Sequence, residues 1–225
     1  MVRIGRGLKS VSRIVFPLTV LMALPVLAAY RVLHWSPRPV TSYPSQQTSE
    51  GITIAAEPLF TDALAAKAFD AKGMVSRNIL PVAVIVHNSN DFAIEVSGAS
   101  IELLLGEDHL KTLEPDKALE RLYGRTKRVT PPPSRVPFPR PAPVSTAPKE
   151  AKLDFSQKFF GQKIVFSHST EGGFLYFPLT DSSDLRARLS NARIYIPDVR
   201  RKGTDQEMIF FEFDLKAAVD AVRQK

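Results

Sequence analysis

The stretch SHSTEGGFLYFPL, residues 167–179, contains the residue types most suggestive of catalysis. The Ser-His-Ser run 167–169 contains a hydroxyl nucleophile and an imidazole base, and Gly172-Gly173 resembles part of a phosphate loop. Neighbouring side chains on a strand point to opposite faces, so a serine and the adjacent histidine would diverge. There is no G-x-S-x-G elbow, and no Lys-Ser or Lys-Thr follows the glycines. We therefore predict no catalytic residue here, and expect a turn over 167–173, with Gly172 at positive φ, before a strand that begins near Phe174.

The metal-binding residue types are sparse and widely separated. The chain has no cysteine, which excludes disulfides, thiol catalysis and thiolate zinc sites. None of the four histidines has the close spacing of a zinc motif: His34, His87, His109 and His168. His87 is expected to cap a turn or to face solvent, and His109, in the acid-rich stretch GEDHLK, to lie in a solvated turn or helix approach. We predict no metal site, no cofactor and no cofactor-binding residue.

The positive charge is concentrated in two parts of the chain. The formal net charge is +7, of which residues 1–50 contribute +5 and residues 121–150 contribute +6, so that the remainder is mildly acidic. A nucleic-acid-binding domain would concentrate its positive charge on a folded face. This distribution makes nucleic-acid binding an unfavoured function.

The second basic region is also rich in proline, with eight prolines within residues 131–148. Such a sequence excludes helix and central strand and predicts an extended, disordered insert at about 124–150. Its cations form a candidate interaction loop that would contact anionic lipid, a wall polymer or an envelope protein; a merely solvated loop is the alternative. The candidate residues are Arg121, Arg125, Lys127, Arg128, Arg135, Arg140 and Lys149.

The N-terminal 35 residues resemble an export signal. Four cations precede an uncharged run of 17 residues from Ile14 to Tyr30, with small residues suited to cleavage around Ala28 and Ala29. An uncleaved membrane anchor is the alternative, because the run is at the short limit for a bilayer span. We predict an exported protein of the periplasm or cell envelope, bound to the membrane if the segment is retained. Residues 36–50, rich in proline and hydroxyl residues, are expected to form a flexible spacer.

From residue 51 the pattern is that of β-strands. Val82 to Val86 is a continuous β-branched and apolar run, and alternating segments follow around Ile94 and Ile101, which favours a meander of three strands. EPDKALERLYG predicts a short helix with Pro115 in its first turn and Gly124 as its stop. Seven or eight short strands predict a mainly β chain, with residues 51–225 forming one antiparallel immunoglobulin-like β-sandwich with a few short helices and the long proline-rich loop. Four aromatic positions should be interior: Phe174, Tyr176, Phe210 and one of Phe211 or Phe213.

The segments LPVAVIVHNSNDFAIEVSGASIELL, IVFSHSTEGGFLYFPL and ARIYIPDV resemble exported bacterial immunoglobulin-like domains. The resemblance covers residues 79–105 and 163–215, implies fold and location, and carries no catalytic residue. The sequence thus favours a non-enzymatic exported or membrane-tethered protein with a structural or interaction role in the envelope. Two alternatives remain: an envelope enzyme whose site is assembled from distant loops, and an accessory subunit of a membrane assembly.

Overall fold

The structure is a computed structural model that describes residues 29–124, 146–204 and 207–222. These residues form ten strands and five short α-helices, which confirms the mainly β prediction. The strands are β1 Gln46–Ser49, β2 Ile52–Pro58, β3 Ile79–Asn88, β4 Ile94–Ser97, β5 Glu102–Leu105, β6 Asp108–Lys111, β7 Gln162–Val165, β8 Ser169–Pro178, β9 Arg193–Arg201 and β10 Glu207–Asp214. The helices are α1 Asp62–Ala65, α2 Pro115–Tyr123, α3 Lys149–Lys158, α4 Leu185–Leu189 and α5 Lys216–Ala221.

The strands form two antiparallel sheets packed face to face. The first sheet has four strands in the order β1-β2-β3-β8, and the second has six, in the order β6-β5-β9-β4-β7 with β10 paired to β9. The facing sides share one apolar core, which contains Val82 and Phe177 from the first sheet and Val96, Ile194 and Phe211 from the second. Removing this apolar surface from water is the main force that holds the sheets together.

Strand β3 is the centre of the first sheet because both of its faces are apolar. Its even-numbered residues Val82 and Val84 contact the second sheet, while Ala83 and Ile85 contact helices on the other side. The continuous apolar run of the sequence is therefore a strand that is buried on two sides. The outer cover consists of α2, α3 and the residues around α1.

The helical cover begins and ends at residues that the sequence predicts. Pro115 opens α2 in the first turn, where no backbone N–H donor is needed, and Gly124 ends it at φ 78°. Thr61 caps α1 by accepting a hydrogen bond from the Leu64 N–H at 3.2 Å. Helix α3 buries Ala151 and Phe155 against the outer face of the first sheet.

Two expectations about the strands were wrong. β3, β4 and β5 form no meander, because β3 belongs to the first sheet while β4 and β5 both pair with β9 in the second. Alternation of residues identifies strands, but the choice of partner depends on contacts distant in sequence. The stretch GEDHLK, expected as a turn, is largely strand β6, paired with β5 across a reversal in which Gly106 has φ 69°.

The prediction that residues 36–50 form a flexible spacer was also wrong. Residues 46–49 are β1, which pairs with β2 in register from Gln46 with Ala55 to Ser49 with Ile52. Val40 and Tyr43 are buried at 6% and 2% exposure. The polar composition of this segment indicated poor order. However, β1 is an edge strand whose backbone is paired with β2, and this pairing does not require apolar side chains.

The aromatic predictions were correct at three positions. Phe174, Tyr176 and Phe211 are fully buried, but Phe210 is 58% exposed. Adjacent strand residues face opposite sides, so the burial of Phe211 forces Phe210 outward. Opposite it, Pro197 and Asp198 of β9 together occupy the place of one residue, which is a β-bulge.

Candidate functional site

The Ser-His-Ser run lies at the exposed reversal between β7 and β8. His168 has φ 53°, and its Nε2 is 2.9 Å from Asp91 Oδ1, while the Ser169 hydroxyl donates to the Phe166 carbonyl at 2.9 Å. No nucleophile–base pair is formed by these contacts. The expected turn is shorter than residues 167–173, because β8 begins at Ser169; Gly172 lies inside the strand rather than at positive φ.

The other histidines make pairwise contacts at the surface. His87 Nδ1 is 2.9 Å from Thr170 Oγ1 across the β3–β8 pair, and His109 Nδ1 is 3.3 Å from Glu102. Within the described residues there is no group of three or more potential metal ligands. Nor does any helix of this part of the chain have the length and apolar character to cross a membrane. The predicted signal or anchor segment lies largely outside the described residues.

The candidate interaction loop is described only at its two ends. Arg121 in α2 donates from Nη1 to the Asn78 carbonyl at 3.4 Å, and Lys149 is the first residue of α3, although the insert was predicted to extend to about 150. The other five candidates lie outside the described residues: Arg125, Lys127, Arg128, Arg135 and Arg140. The two ends meet, because Thr146 donates from its hydroxyl to the Tyr123 carbonyl at 2.5 Å and from its N–H to the Gly124 carbonyl at 3.4 Å.

Residues 30–38 are docked on the helical side of the first sheet. The Tyr30 hydroxyl donates to Asp154 at 2.5 Å, and the Arg31 N–H donates to Asp70 at 2.7 Å. Trp35 packs on Phe174 with ring centroids 4.6 Å apart. Arg38 pairs with Glu57 at 3.1 Å. The packed part of the described chain therefore includes residues 30–38, well before the expected domain start at residue 51.

A buried ion pair lies beneath this docked segment. Asp154 and Lys158, 1% and 9% exposed, are one helical turn apart in α3, with Lys158 Nζ 2.6 Å from Asp154 Oδ1. The same ammonium donates to the Ala68 carbonyl at 2.6 Å and lies 5.0 Å from the centre of the Phe69 ring. The i,i+4 spacing was visible in the sequence, but nothing in it indicated which face of α3 is buried.

Two phenols near this pair have strongly perturbed acidity. Burial, followed by the hydrogen bond to Asp154 and its charge, raises the pKa of Tyr30 far above its ordinary value. Full burial, followed by the Asp154 charge, raises the pKa of Tyr176, whose hydroxyl donates to the Phe155 carbonyl at 3.0 Å. Both groups stay protonated and serve as hydrogen-bond donors, which indicates a structural role for this cluster.

A polar cleft of about 350 Å³ lies on the outer face of the second sheet. Residues 98–100 interrupt the β4–β5 pairing with β9, and residues 196–198 of β9 are left without partners on that side. The β9 bulge lies at the same place. We call this the sheet-break cleft; its lining residues are Glu95, Ser97, Ser100, Gln162, Asp198, Arg200 and Thr204.

The carboxylates of the sheet-break cleft are paired with cations. Asp198 Oδ2 is 2.6 Å from Arg200 Nε, and Glu95 Oε2 is 3.9 Å from Lys202 Nζ. Gln162 donates its amide to the other oxygen of Glu95. Asp198 Oδ1 is buried and accepts no hydrogen bond from the described residues. Sequence reasoning missed this cleft, because its residues come from four separate segments and form no local motif.

The fold and these sites define a two-sheet antiparallel β protein with one sheet covered by helices. No protein-family model matches the sequence, and no curated protein matches it. Among solved structures, the chain is similar to the yjhA protein of Bacillus subtilis, at a TM-score of 0.39 and 7% identity over 76% of this chain and 95% of that one. It is also similar to ycdA of Bacillus subtilis subsp. subtilis str. 168, a candidate lipoprotein, at a TM-score of 0.39 and 10% identity over 81% of this chain and 42% of that one. At these TM-scores neither family membership nor function transfers to this chain.

Proposed function

We propose that this chain is an exported, immunoglobulin-like β-sandwich protein without enzymatic activity, which interacts with an anionic membrane surface of the cell envelope. The proposal rests on the proximity of the N-terminal uncharged run to the basic insert. The uncharged N-terminal run ends at Tyr30, and both ends of the basic insert are close to that residue.

The proximity follows from shared neighbours on the helical side of the first sheet. Tyr30 and Tyr123 pack against the same apolar cluster. Burial, followed by the charge of Asp70, raises the pKa of Tyr123, and the same Asp70 carboxylate accepts the Arg31 N–H. Thr146, the first described residue after the insert, is hydrogen-bonded to Tyr123.

This arrangement supports a function at the membrane surface. A retained N-terminal segment would hold the fold directly against the bilayer, because residues 30–38 are docked and leave no spacer. The described ends of the insert, at Tyr123 and Thr146, would then be near the same surface, which gives the insert cations access to the lipid headgroups. Each cation near an anionic membrane contributes about 1 kcal/mol of attraction. After cleavage, the same cations would favour return to the surface from solution.

Vesicle binding tests the proposal. A chain of residues 30–225 should bind vesicles that contain phosphatidylglycerol, bind neutral phosphatidylcholine vesicles weakly, and lose binding as salt rises. Changing the five insert cations to Gln should reduce the affinity at least about 100-fold. The cations to be changed are Arg125, Lys127, Arg128, Arg135 and Arg140.

The matched control removes the same charge from exposed positions elsewhere: Lys111, Lys117, Arg193, Arg201 and Lys216. It should retain most of the affinity, because these cations belong to the folded surface and not to the insert. Equal losses in the two variants, or binding to neither vesicle, would refute the membrane proposal. Export is tested separately by fusing residues 1–50 to a reporter that is active only outside the cytoplasm, followed by sequencing of the mature N-terminus.

A further inference from the structure

We propose that the outer face of the second sheet binds an uncharged glycan chain, with one sugar unit in the sheet-break cleft and the next against the Tyr195–Phe210 pair. This site is separate from the membrane surface proposed above. It lies on the side of the sandwich opposite the helices and the docked residues 30–38.

The defect in the sheet gives the cleft its shape. Three residues of β9, 196–198, are unpaired on the side of β4 and β5, and the bulge at Pro197-Asp198 distorts the opposite pairing with β10. Bulges frequently re-aim side chains next to binding sites. The volume of about 350 Å³ is at the low end of the roughly 300–1,000 Å³ of small-molecule sites. The cleft therefore fits a unit of a polymer rather than a large cofactor.

The charges of the cleft favour a neutral ligand. Asp198 is paired with Arg200 and Glu95 with Lys202, so two carboxylates are balanced by two cations. Paired charges attract an anion or a metal ion less strongly than unpaired ones, because part of their field is already compensated by the partner. Phosphate, headgroups and divalent cations are disfavoured on this ground.

The hydrogen-bonding groups favour hydroxyl groups as partners. Asp198 Oδ1 is buried without a donor among the described residues, and an unpaired buried acceptor is unfavourable until a ligand or water donates to it. The hydroxyls of Ser100 and Thr204 donate to the carbonyls of Ser97 and Arg201, at 3.3 and 3.1 Å, and so present acceptor lone pairs, while the Ser97 hydroxyl can both donate and accept. A sugar ring presents several hydroxyls that alternate between these roles, so it can satisfy such a mixed set.

An aromatic surface lies beside the cleft on the same face of the sheet. Phe210 is 58% exposed, opposes Asp198 across the bulge, and its ring centroid is 6.2 Å from that of Tyr195. A single exposed aromatic ring is common on soluble surfaces, but two adjacent rings beside a polar cleft provide an apolar face on which a ligand can pack. The apolar C–H face of a sugar ring packs on such a surface while its hydroxyl edges remain in contact with polar groups.

The test uses the full-length chain in a detergent without a sugar headgroup. Its binding is measured by calorimetry to tetramers of N-acetylglucosamine, glucose and mannose, with a sulfated tetramer and calcium chloride as charged comparators. At least one neutral tetramer should bind with a Kd below about 1 mM, and neither comparator should bind at this site. Binding of the comparators alone, or of no neutral tetramer, would overturn the proposal.

Variants connect the binding to the site. Phe210→Ala and Asp198→Asn should each weaken the affinity about tenfold, since one aromatic contact or one strong hydrogen bond is lost. Phe166→Ala, which removes a phenylalanine that is 64% exposed at the β7–β8 reversal, should leave the affinity unchanged. Phe210 is outside the core, so its variant should fold normally, as a melting curve will verify. An unchanged affinity in both site variants contradicts the proposal.

Discussion

At the residue scale, the ion pair of Asp154 and Lys158 is the feature most sensitive to change. Both side chains are buried between the first sheet and its helices, and the Asp154 carboxylate also accepts from Tyr30. We expect Asp154→Ala to destabilise the fold by about 3–5 kcal/mol, because it leaves an uncompensated ammonium in an apolar layer. Urea unfolding measures this difference.

Two further variants separate burial from charge. Lys117→Met removes an exposed partner of Glu120, and should change the stability by less than about 1 kcal/mol. The double change Asp154→Leu with Lys158→Met should recover much of the loss, since an apolar pair needs no charge compensation. A stability of Asp154→Ala equal to that of the unchanged chain would show that the pair is dispensable.

Because the phenol of Tyr176 is buried, we expect the folded state to lose stability at alkaline pH. Its pKa is raised well above the ordinary value of 10.0 by full burial, so the folded state keeps a proton that the unfolded chain loses. Above about pH 10 the unfolded state binds fewer protons, and stability should fall by about 1 kcal/mol per pH unit from this group. Urea unfolding between pH 8 and 12 gives the slope.

A variant that lacks the Tyr176 phenol is the control for the pH dependence of the stability. Tyr176→Phe also loses the hydrogen bond to the Phe155 carbonyl and should be less stable at neutral pH. Its stability should nevertheless decline less steeply above pH 10 than that of the unchanged chain. Parallel declines in the two proteins would show that Tyr176 is not the group responsible.

At the element scale, the turn between β4 and β5 depends on a close backbone approach at Gly98. A Cβ atom at this position would lie 1.7 Å from the Phe160 carbonyl oxygen, and the Gly98 N–H donates to the Gly161 carbonyl at 2.8 Å. Gly98→Ala therefore requires the backbone to separate, and we expect a loss of about 3 kcal/mol or more. Thermal melting will measure it.

Gly161 is the matched control, since it lies in the same contact. A Cβ atom there would meet only the Phe159 ring, at 3.4 Å, and Gly161 has no positive φ. Gly161→Ala should thus change the stability by less than about 1 kcal/mol. Comparable losses in the two variants would contradict the role of the close approach.

Elements that depend on local interactions could be predicted from the sequence, whereas features that depend on contacts between distant residues could not. β3 and α2 were predictable, because a continuous apolar run and a Pro–Gly pair of boundary residues are local signals. β1 was not, because its order comes from pairing with β2 and not from its own residues. The sheet-break cleft was also hidden, since Glu95 and Asp198 are neighbours only when β4 pairs with β9. Phe210 shows the same limit: alternation marks the strand, but the partner strand decides which face is inside.

At the scale of the whole molecule, residues 30–37 complete the layer over the first sheet. Trp35 covers Phe174, and together with Pro37 it lies over Gly172, where an added Cβ would be 3.2 Å from each. Gly172 therefore provides the flat surface on which the segment rests, and not the turn that the sequence suggested. The segment is part of the fold and is connected rigidly to the sandwich.

This rigid connection predicts that the fold tolerates truncation up to residue 29 but not beyond. A chain of residues 30–225 should be as stable as the full chain, whereas residues 38–225 should lose about 3 kcal/mol through the exposed Phe174 and the missing Tyr30 donor. Trp35→Ala should account for much of that loss, and Val32→Ala, at a side chain that is 50% exposed, for almost none. Urea unfolding of the five proteins, the full chain included, compares them directly. If the chains 38–225 and 30–225 unfolded at the same urea concentration, residues 30–37 would contribute nothing to the stability of the fold. The proposal that they hold the sandwich against a membrane would then lose its physical basis.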